Sequence, residues 1–213
     1  MARTLIQHAY VDLLRSQRAS VVIATGKAGT GKTRLAIVEG AQALLRGNVQ
    51  RLVLVRPAVS AGEELGYLPG TMDEKMAPFV RPMLDALNTV YTTREINNLR
   101  EEGRLELAPI SFMRGRTFDK AWIVFDEAQN STPVQMQMVL TRLGRDSKLV
   151  ATGDLDQCDL AGANGLADFL CRLSPMRRNT LIHHIQLGEE DVQRSEVVKE
   201  VLGVYAKTNT RCN

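Results

Sequence analysis

Eight residues constrain this chain more than any other stretch: Gly26-Lys27-Ala28-Gly29-Thr30-Gly31-Lys32-Thr33. They satisfy the spacing GxxxxGK[ST] at every fixed position. They follow the short apolar run Ser20-Val21-Val22-Ile23-Ala24-Thr25 and open a helical pattern from Thr33 to Leu45, closed by Gly47. A glycine-rich turn between a buried strand and a helix N-terminus is a phosphate cradle, because glycines let backbone N–H groups wrap an anion at the positive end of the helix. Gly26, Lys27, Ala28, Gly29, Thr30 and Gly31 would line that cradle. Lys32 would reach the β- and γ-phosphates of a bound nucleotide, and Thr33 would hold Mg²⁺. With Gly near ~7% of residues, a chance match is on the order of 1% or less. The motif's place between strand and helix weighs further against a turn that binds nothing.

The rest of the chain reads as strands alternating with helices. Residues 3–16 have helical periodicity. Arg51–Arg56, Trp122–Phe125 and Lys148–Thr152 are apolar runs that read as buried strands, with a weaker one at Leu105–Ala108 and a last one at Ile182–Leu187. Residues 57–70 carry two prolines and three glycines and read as a loop. The pattern from Thr71 to Tyr91 is helical but should break at Pro78 and Pro82. Further helices are expected at Ile96–Glu102, Pro133–Leu143, Gly165–Leu173 and Ser195–Ala206. Buried strands separated by helices predict an α/β fold with a mainly parallel sheet covered on both faces, and ligands at the carboxyl ends of its strands.

Two of those strands end in polar residues suited to nucleotide chemistry. After Trp122–Phe125 come Asp126 and Glu127. Asp126 fits the Mg²⁺-water ligand of a Walker B site, and Glu127 could polarise an attacking water as general base. The 92 residues between Thr33 and Asp126 leave room for an intervening strand. After Lys148–Thr152 come Gly153, Asp154, Leu155, Asp156 and Gln157. The Gln157 amide can accept from water and donate to a γ-phosphate oxygen, which makes it a sensor candidate; a plain turn capped by an aspartate is the alternative.

Composition sets outer limits. With 44% hydrophobic and 24% charged residues over 213 positions, one ordinary globular domain is expected. No apolar run approaches the ~20 residues of a membrane span. Cys158, Cys171 and Cys212 show no CxxC spacing, and with no exporting segment at the start they read as reduced thiols of a cytoplasmic protein. The net charge of +3 is too small to argue nucleic-acid binding by itself, although 20 of the 27 basic residues are Arg. Aromatics are 5%, so a grip on RNA or single-stranded DNA would be mainly electrostatic. Arg56 follows the second strand, where the superfamily 1 helicases that these motifs resemble carry a strand-contacting motif; it could touch nucleic acid or only pair with an acid. Arg114 and Arg116 could contact nucleic acid, reach into a neighbouring site or form an ion pair. The loop Gly62–Gly70 is long enough to suggest a function. Met136 and Met138 read as core.

Taken together, these stretches resemble superfamily 1 helicase motifs, with GKAGTGKT, DEAQ and GDLDQ as motifs I, II and III. More closely, the chain resembles the PhoH-family ATPases. The resemblance is carried by ATGKAGTGKT, VRPAVSAGEELGYLPG, RGRTFDKAWIVFDEAQNSTPVQMQMVLTRLG and KLVATGDLDQCDL, with a weaker match in DVQRSEVVKEVLGVYA, and covers about residues 5–206. It implies a three-layer RecA-like P-loop core over residues 1–213, with ATP and Mg²⁺ as ligands. It also implies a ring-shaped homo-oligomer, with a hexamer as one form, and hydrolysis coupled to RNA or single-stranded DNA. The other reading is a nucleotide-gated assembly module without a polynucleotide substrate. By the same resemblance Gln7 would read the adenine edge, and Arg194 of the tail motif would act as an arginine finger in a neighbouring site. Arg116 is the rival finger, and an ion pair of Arg194 with Asp191 or Glu190 the plain alternative. Where the family tail reads Asp-Val-Val-Arg-His, this chain has Asp191-Val192-Gln193-Arg194-Ser195, keeping the arginine and not the histidine. The chain is expected to be the ATPase core alone, without a nuclease, an RNA-binding domain or a second RecA-like domain.

Overall fold

The computed structural model describes residues 2–57, 81–160, 162–175, 181–193 and 197. Among these, one sheet contains β1 (Val21–Gly26), β2 (Arg51–Arg56), β3 (Leu105–Pro109), β4 (Ala121–Phe125), β5 (Lys148–Gly153) and β6 (Ile182–Leu187). Every pairing is parallel and the order is β3-β2-β4-β5-β1-β6. The helices are α1 (Leu5–Arg15), α2 (Lys32–Leu45), α3 (Thr93–Glu101), α4 (Pro133–Leu140) and α5 (Gly165–Leu173), and residues 81–87 are also helical.

Because successive strand side chains point to opposite faces, the apolar runs divide into two cores. Val22, Leu54, Val124 and Val150 meet α1, α2, α3 and the helical residues 81–87 on one face. Ile23, Val55, Ile123 and Leu149 meet α4, α5 and a 3-10 turn at Ile110–Met113 on the other. The result is the three-layer α/β architecture expected from the sequence. Gly40 lets α2 lie flush on the sheet, since a Cβ there would meet the Trp122 indole at 2.5 Å. Lys148, at the start of β5, is buried and donates to the carbonyls of Leu13, Leu14 and Ser16 at 3.2, 2.6 and 2.7 Å. It thereby closes the C-terminal end of α1, where a cation is favoured.

The structure moves several expected boundaries. α3 begins at Thr93, three residues ahead of Ile96, because Thr92 and Glu95 form a capping box. α4 stops at Leu140 instead of Leu143, and the turn at Ile110–Met113 has no counterpart in the sequence reading. The strand between β1 and β4 is β5, which follows Asp126 in the chain. The stretch between Thr33 and Asp126, expected to have room for a strand, supplies both β2 and β3, on the far side of β4. Met136 is fully buried and Met138 partly so. The Gly62–Gly70 loop lies outside the described residues, as does the expected last helix except position 197. No helix among the described residues is long and apolar enough to cross a membrane.

Candidate nucleotide-binding site

β1 runs directly into the phosphate loop, which turns on glycines in backbone regions that other residues avoid. Gly26 has φ 147°, and a Cβ there would come within 2.5 Å of the Leu187 carbonyl on β6. Gly31 has φ 82° and is the N-cap of α2, yet it can supply no side-chain cap. The first N–H groups of α2 therefore have no side-chain acceptor at the cap, the arrangement that receives an anion. Lys32 folds over the loop, its Nζ donating to the Lys27 carbonyl at 3.2 Å. Burial pushes its ammonium below the ordinary lysine range, and the nearby carboxylates of Asp154, Glu127 and Asp126 draw it back up.

The loop and the β4 end meet at Thr33, whose Oγ1 donates to Asp126 Oδ1 at 2.6 Å. Thr152 Oγ1 on β5 donates to the same oxygen at 2.8 Å. A hydroxyl and a carboxylate at this separation, beside an open cleft, are hard oxygen donors of the kind that suit Mg²⁺. That ion takes few protein ligands and keeps several waters. Thr33 and Asp126 could hold it, with Thr152 fixing the carboxylate.

Glu127 occupies the left-handed region, φ 53° and ψ 41°. For a residue with a side chain this costs of order 1–3 kcal/mol, a strain met at functional turns. Its Oε2 accepts from Gln129 Nε2 at 2.6 Å, and its Oε1 lies 3.7 Å from the Arg56 guanidinium at the end of β2. Gln129 is completely buried. Besides Glu127, its Nε2 serves the Gln157 carbonyl at 3.1 Å, and its Oε1 accepts from the Asp154 backbone at 3.1 Å. One amide thus locks the polar ends of β4 and β5 together. Gly153 makes room for it, since a Cβ there would stand 2.7 Å from Gln129 Oε1. The Asp154 carboxylate in turn accepts from Ala28 N–H of the phosphate loop at 3.2 Å and from Asp156 N–H at 3.1 Å.

A cleft of about 960 Å³ gathers Gln7, Ala28, Gly29, Gly31, Lys32, Thr33, Glu127, Asp154 and Gln157. Gln157 is exposed on its wall. Gln7, by contrast, is buried. Its Nε2 donates to the Thr30 carbonyl at 3.0 Å and the Asp191 carbonyl at 3.2 Å, and its Oε1 accepts from Arg3 N–H at 2.7 Å. It therefore fastens α1 to the phosphate loop. Arg116 lies outside the cleft, in a bidentate pair with Glu106 and over the Phe118 ring at 4.4 Å. Of the three readings open for it, the ion pair is the one observed. Arg194 lies outside the described residues. The roles of Gln129, Thr152 and Asp154 were not read from the sequence; the only signal was that polar residues continue beyond the end of each buried strand.

The family model described as PhoH-like protein matches residues 1–206 of this chain. The chain is 43% identical over 208 residues to the PhoH-like protein of Bacillus subtilis, covering 97% of this chain and 64% of that one. It is 45% identical over 207 residues to the PhoH-like protein of Mycobacterium tuberculosis, covering 96% and 57%. With the protein PhoH of Escherichia coli K12 the identity is 39% over 210 residues, covering 97% and 58%. The chain thus spans less than two thirds of the length of these relatives. Among solved structures it is similar in fold to the large terminase of a thermophilic bacteriophage. There the TM-score is 0.58 at 15% identity, covering 93% of this chain and 49% of that one. A second crystal form of that terminase, in complex with ADP, gives a TM-score of 0.54 at 16% identity, with the same coverage of 93% and 49%.

Proposed function

This chain belongs to the PhoH family, and from that premise we propose that it binds ATP with Mg²⁺ and hydrolyses the γ-phosphate bond. One observation carries the reading: the side-chain-uncapped start of α2, Lys32 and the Thr33–Asp126 bond face the same cleft as Glu127. In this proposal the loop Gly26–Gly31 and Lys32 hold the phosphates, and Thr33 and Asp126 hold the ion, which supplies charge neutralisation at the phosphate oxygens. Glu127 takes a proton from the attacking water, and Gln157 reports the γ-phosphate. Gln7 clamps the loop with both of its amide hydrogens, which leaves only its Oε1 to meet the base.

Hydrolysis is proposed to be coupled to RNA or single-stranded DNA in a homo-oligomer, with a hexameric ring as the form the family resemblance implies. Cytoplasmic location belongs to the same proposal. The test is the ATPase rate of the purified chain with and without RNA and single-stranded DNA, at two salt concentrations. Turnover that depends on Mg²⁺ and vanishes in a folded Lys32→Ala variant is the expected result. Stimulation by polynucleotide that weakens as salt rises supports the coupling. Unchanged turnover in Lys32→Ala sinks the phosphate-loop assignment, and turnover indifferent to every polynucleotide favours a nucleotide-gated assembly module.

A further inference from the structure

The polarity of what the Gln129 side chain meets fixes which way its amide points. The residue lies in the 3-10 turn Ala128–Asn130, directly after β4 and the acid pair, and is completely buried. Asp154 N–H can only donate, so the atom 3.1 Å from it has to accept, and that is Oε1. The Gln157 carbonyl can only accept, so the atom 3.1 Å from it has to donate, and that is Nε2. A flipped amide would set N–H against N–H and oxygen against oxygen. The backbone beyond β5 therefore orients the group and leaves the second hydrogen of Nε2 for Glu127 Oε2, at 2.6 Å. A hydrogen bond to an ionised carboxylate is among the stronger kinds.

We propose that Gln129 is a positioning residue that holds the Glu127 carboxylate in the one orientation suited to activating water. This inference rests on the reading of Glu127 as general base and adds the group that aims it. Joining the ends of β4 and β5 needs only the bonds to Asp154 and Gln157. The third bond, to Glu127 two residues back on the same turn, adds nothing to that tie and fixes the carboxylate instead. Glu127 needs such a hold. Its backbone is in the left-handed region at φ 53°, and its side chain is 33% open to solvent, free to take several rotamers unless gripped. A general base has to stay within hydrogen-bond reach of the water it deprotonates. Because Gln129 is buried while Glu127 lines the cleft, the grip comes from the protein side and leaves the open side to the water. Aim is thus transmitted from the backbone of β5 to a carboxylate on β4.

The experiment measures ATPase rates, equilibrium ATP binding and thermal melts for the wild type, Glu127→Gln, Gln129→Met and Gln129→Asn, and for each Gln129 variant in the Glu127→Gln background. Gln129→Met keeps the bulk and removes all three bonds, and Gln129→Asn keeps the amide on a shorter stem. Each should lower kcat by about tenfold to ~10²-fold, the cost of a catalytic group slightly out of place, while ATP affinity stays unchanged. In single turnover, the same substitutions should cost much less in the Glu127→Gln background, where the carboxylate to be aimed is gone. Gln129→Asn carries both comparisons if Gln129→Met fails to fold. Wild-type kcat in a folded Gln129 variant, a loss of ATP affinity in place of kcat, or an equal loss in both backgrounds overturns the inference, because Gln129 would then only support the fold. The two readings fail separately. Full turnover in Glu127→Gln removes the general base and the inference with it, whereas loss in Glu127→Gln beside full turnover in the Gln129 variants removes the positioning role alone.

Discussion

The backbone N–H of Gln193 donates to the carbonyl of Gly29 at 3.0 Å, bringing the last part of the described chain back to the middle of the phosphate loop. It is one of several ties there. The Thr4 hydroxyl donates to the buried Asp191 carboxylate, whose other oxygen accepts from Gly188 N–H at 2.7 Å. Gln7 bridges the carbonyls of Thr30 and Asp191, Arg3 donates to the Gln193 side chain at 3.2 Å, and Lys27 pairs with Glu189. The first helix and the turn after β6 therefore clasp the loop between them. The shape of the phosphate cradle depends on both regions, although neither belongs to its motif.

Asp126 and Glu127 are adjacent in sequence, yet they face different partners: Asp126 meets Thr33 and Thr152, Glu127 meets Gln129 and Arg56. Glu127→Gln should therefore keep Mg²⁺–ATP affinity while hydrolysis falls by ~10²-fold or more. Asp126→Ala should lose Mg²⁺-dependent affinity. Equilibrium binding of a fluorescent ATP analogue, beside turnover, separates the two. Equal loss of binding in both variants would mean the roles are wrongly divided.

The Asp154 carboxylate sits on Ala28 N–H, an amide of the loop that should receive phosphate. An arriving phosphate meets a negative charge already holding that donor. Asp154→Asn removes the charge and keeps the shape, so ADP and ATP should bind the variant severalfold more tightly. Calorimetric titration reads this directly, and unchanged or weaker affinity would show that Asp154 does not compete with the nucleotide.

The phosphate loop and the carboxylate pair were legible because their chemistry is local: glycines at fixed offsets, and two acids after a buried apolar run. The function of Gln129 was not legible, because it depends on β5 lying beside β4, and strand order is a long-range outcome. Thr4 and Asp191 are separated by almost the whole described chain, so no local pattern links them. The family resemblance points Gln7 at the adenine, and its three bonds to Arg3, Thr30 and Asp191 arise only once α1 packs against the loop. Lys148 reads as the polar start of a strand; its burial against the end of α1 comes from tertiary packing alone.

Burial pushes the Lys148 ammonium down to about 8, from 10.5 in an ordinary lysine. Between those values the unfolded chain holds a proton that the folded chain has begun to release, so stability rises with pH across that window. Below pH 8 both states are protonated and the contribution is flat. The difference in unfolding free energy between the wild type and Lys148→Met should accordingly grow in favour of the wild type from pH 8 to about 10.5, measured by urea denaturation. Lys148→Met should also be destabilised at neutral pH by ~1–3 kcal/mol, because the carbonyls of Leu13, Leu14 and Ser16 lose their donor. A difference that does not change with pH would place the lysine's folded pKa near its ordinary value.

Arg194 follows Gln193 by one peptide bond, and Gln193 is fixed to the phosphate loop of its own molecule. An arginine stabilising the charge that develops at the γ-phosphate is worth ~10³–10⁵ in rate. The family resemblance sends Arg194 into a neighbouring subunit. Gln193, its covalent neighbour, is bonded to Gly29 of the same molecule, and the outcome predicted is that of an arginine acting within that subunit. Of the two carboxylates that could form a plain ion pair with Arg194, Asp191 is buried and already bonded to Thr4 and Gly188, while Glu190 is exposed. Arg116 is held by Glu106. Arg194→Ala should then lose most turnover while keeping ATP affinity. Mixing it with Glu127→Gln and reassembling should restore nothing, because no single subunit would carry both groups. Recovery of activity in mixtures shown to contain both chains would move Arg194 to the neighbour's site. Full activity of Arg194→Ala by itself would remove it from the reaction.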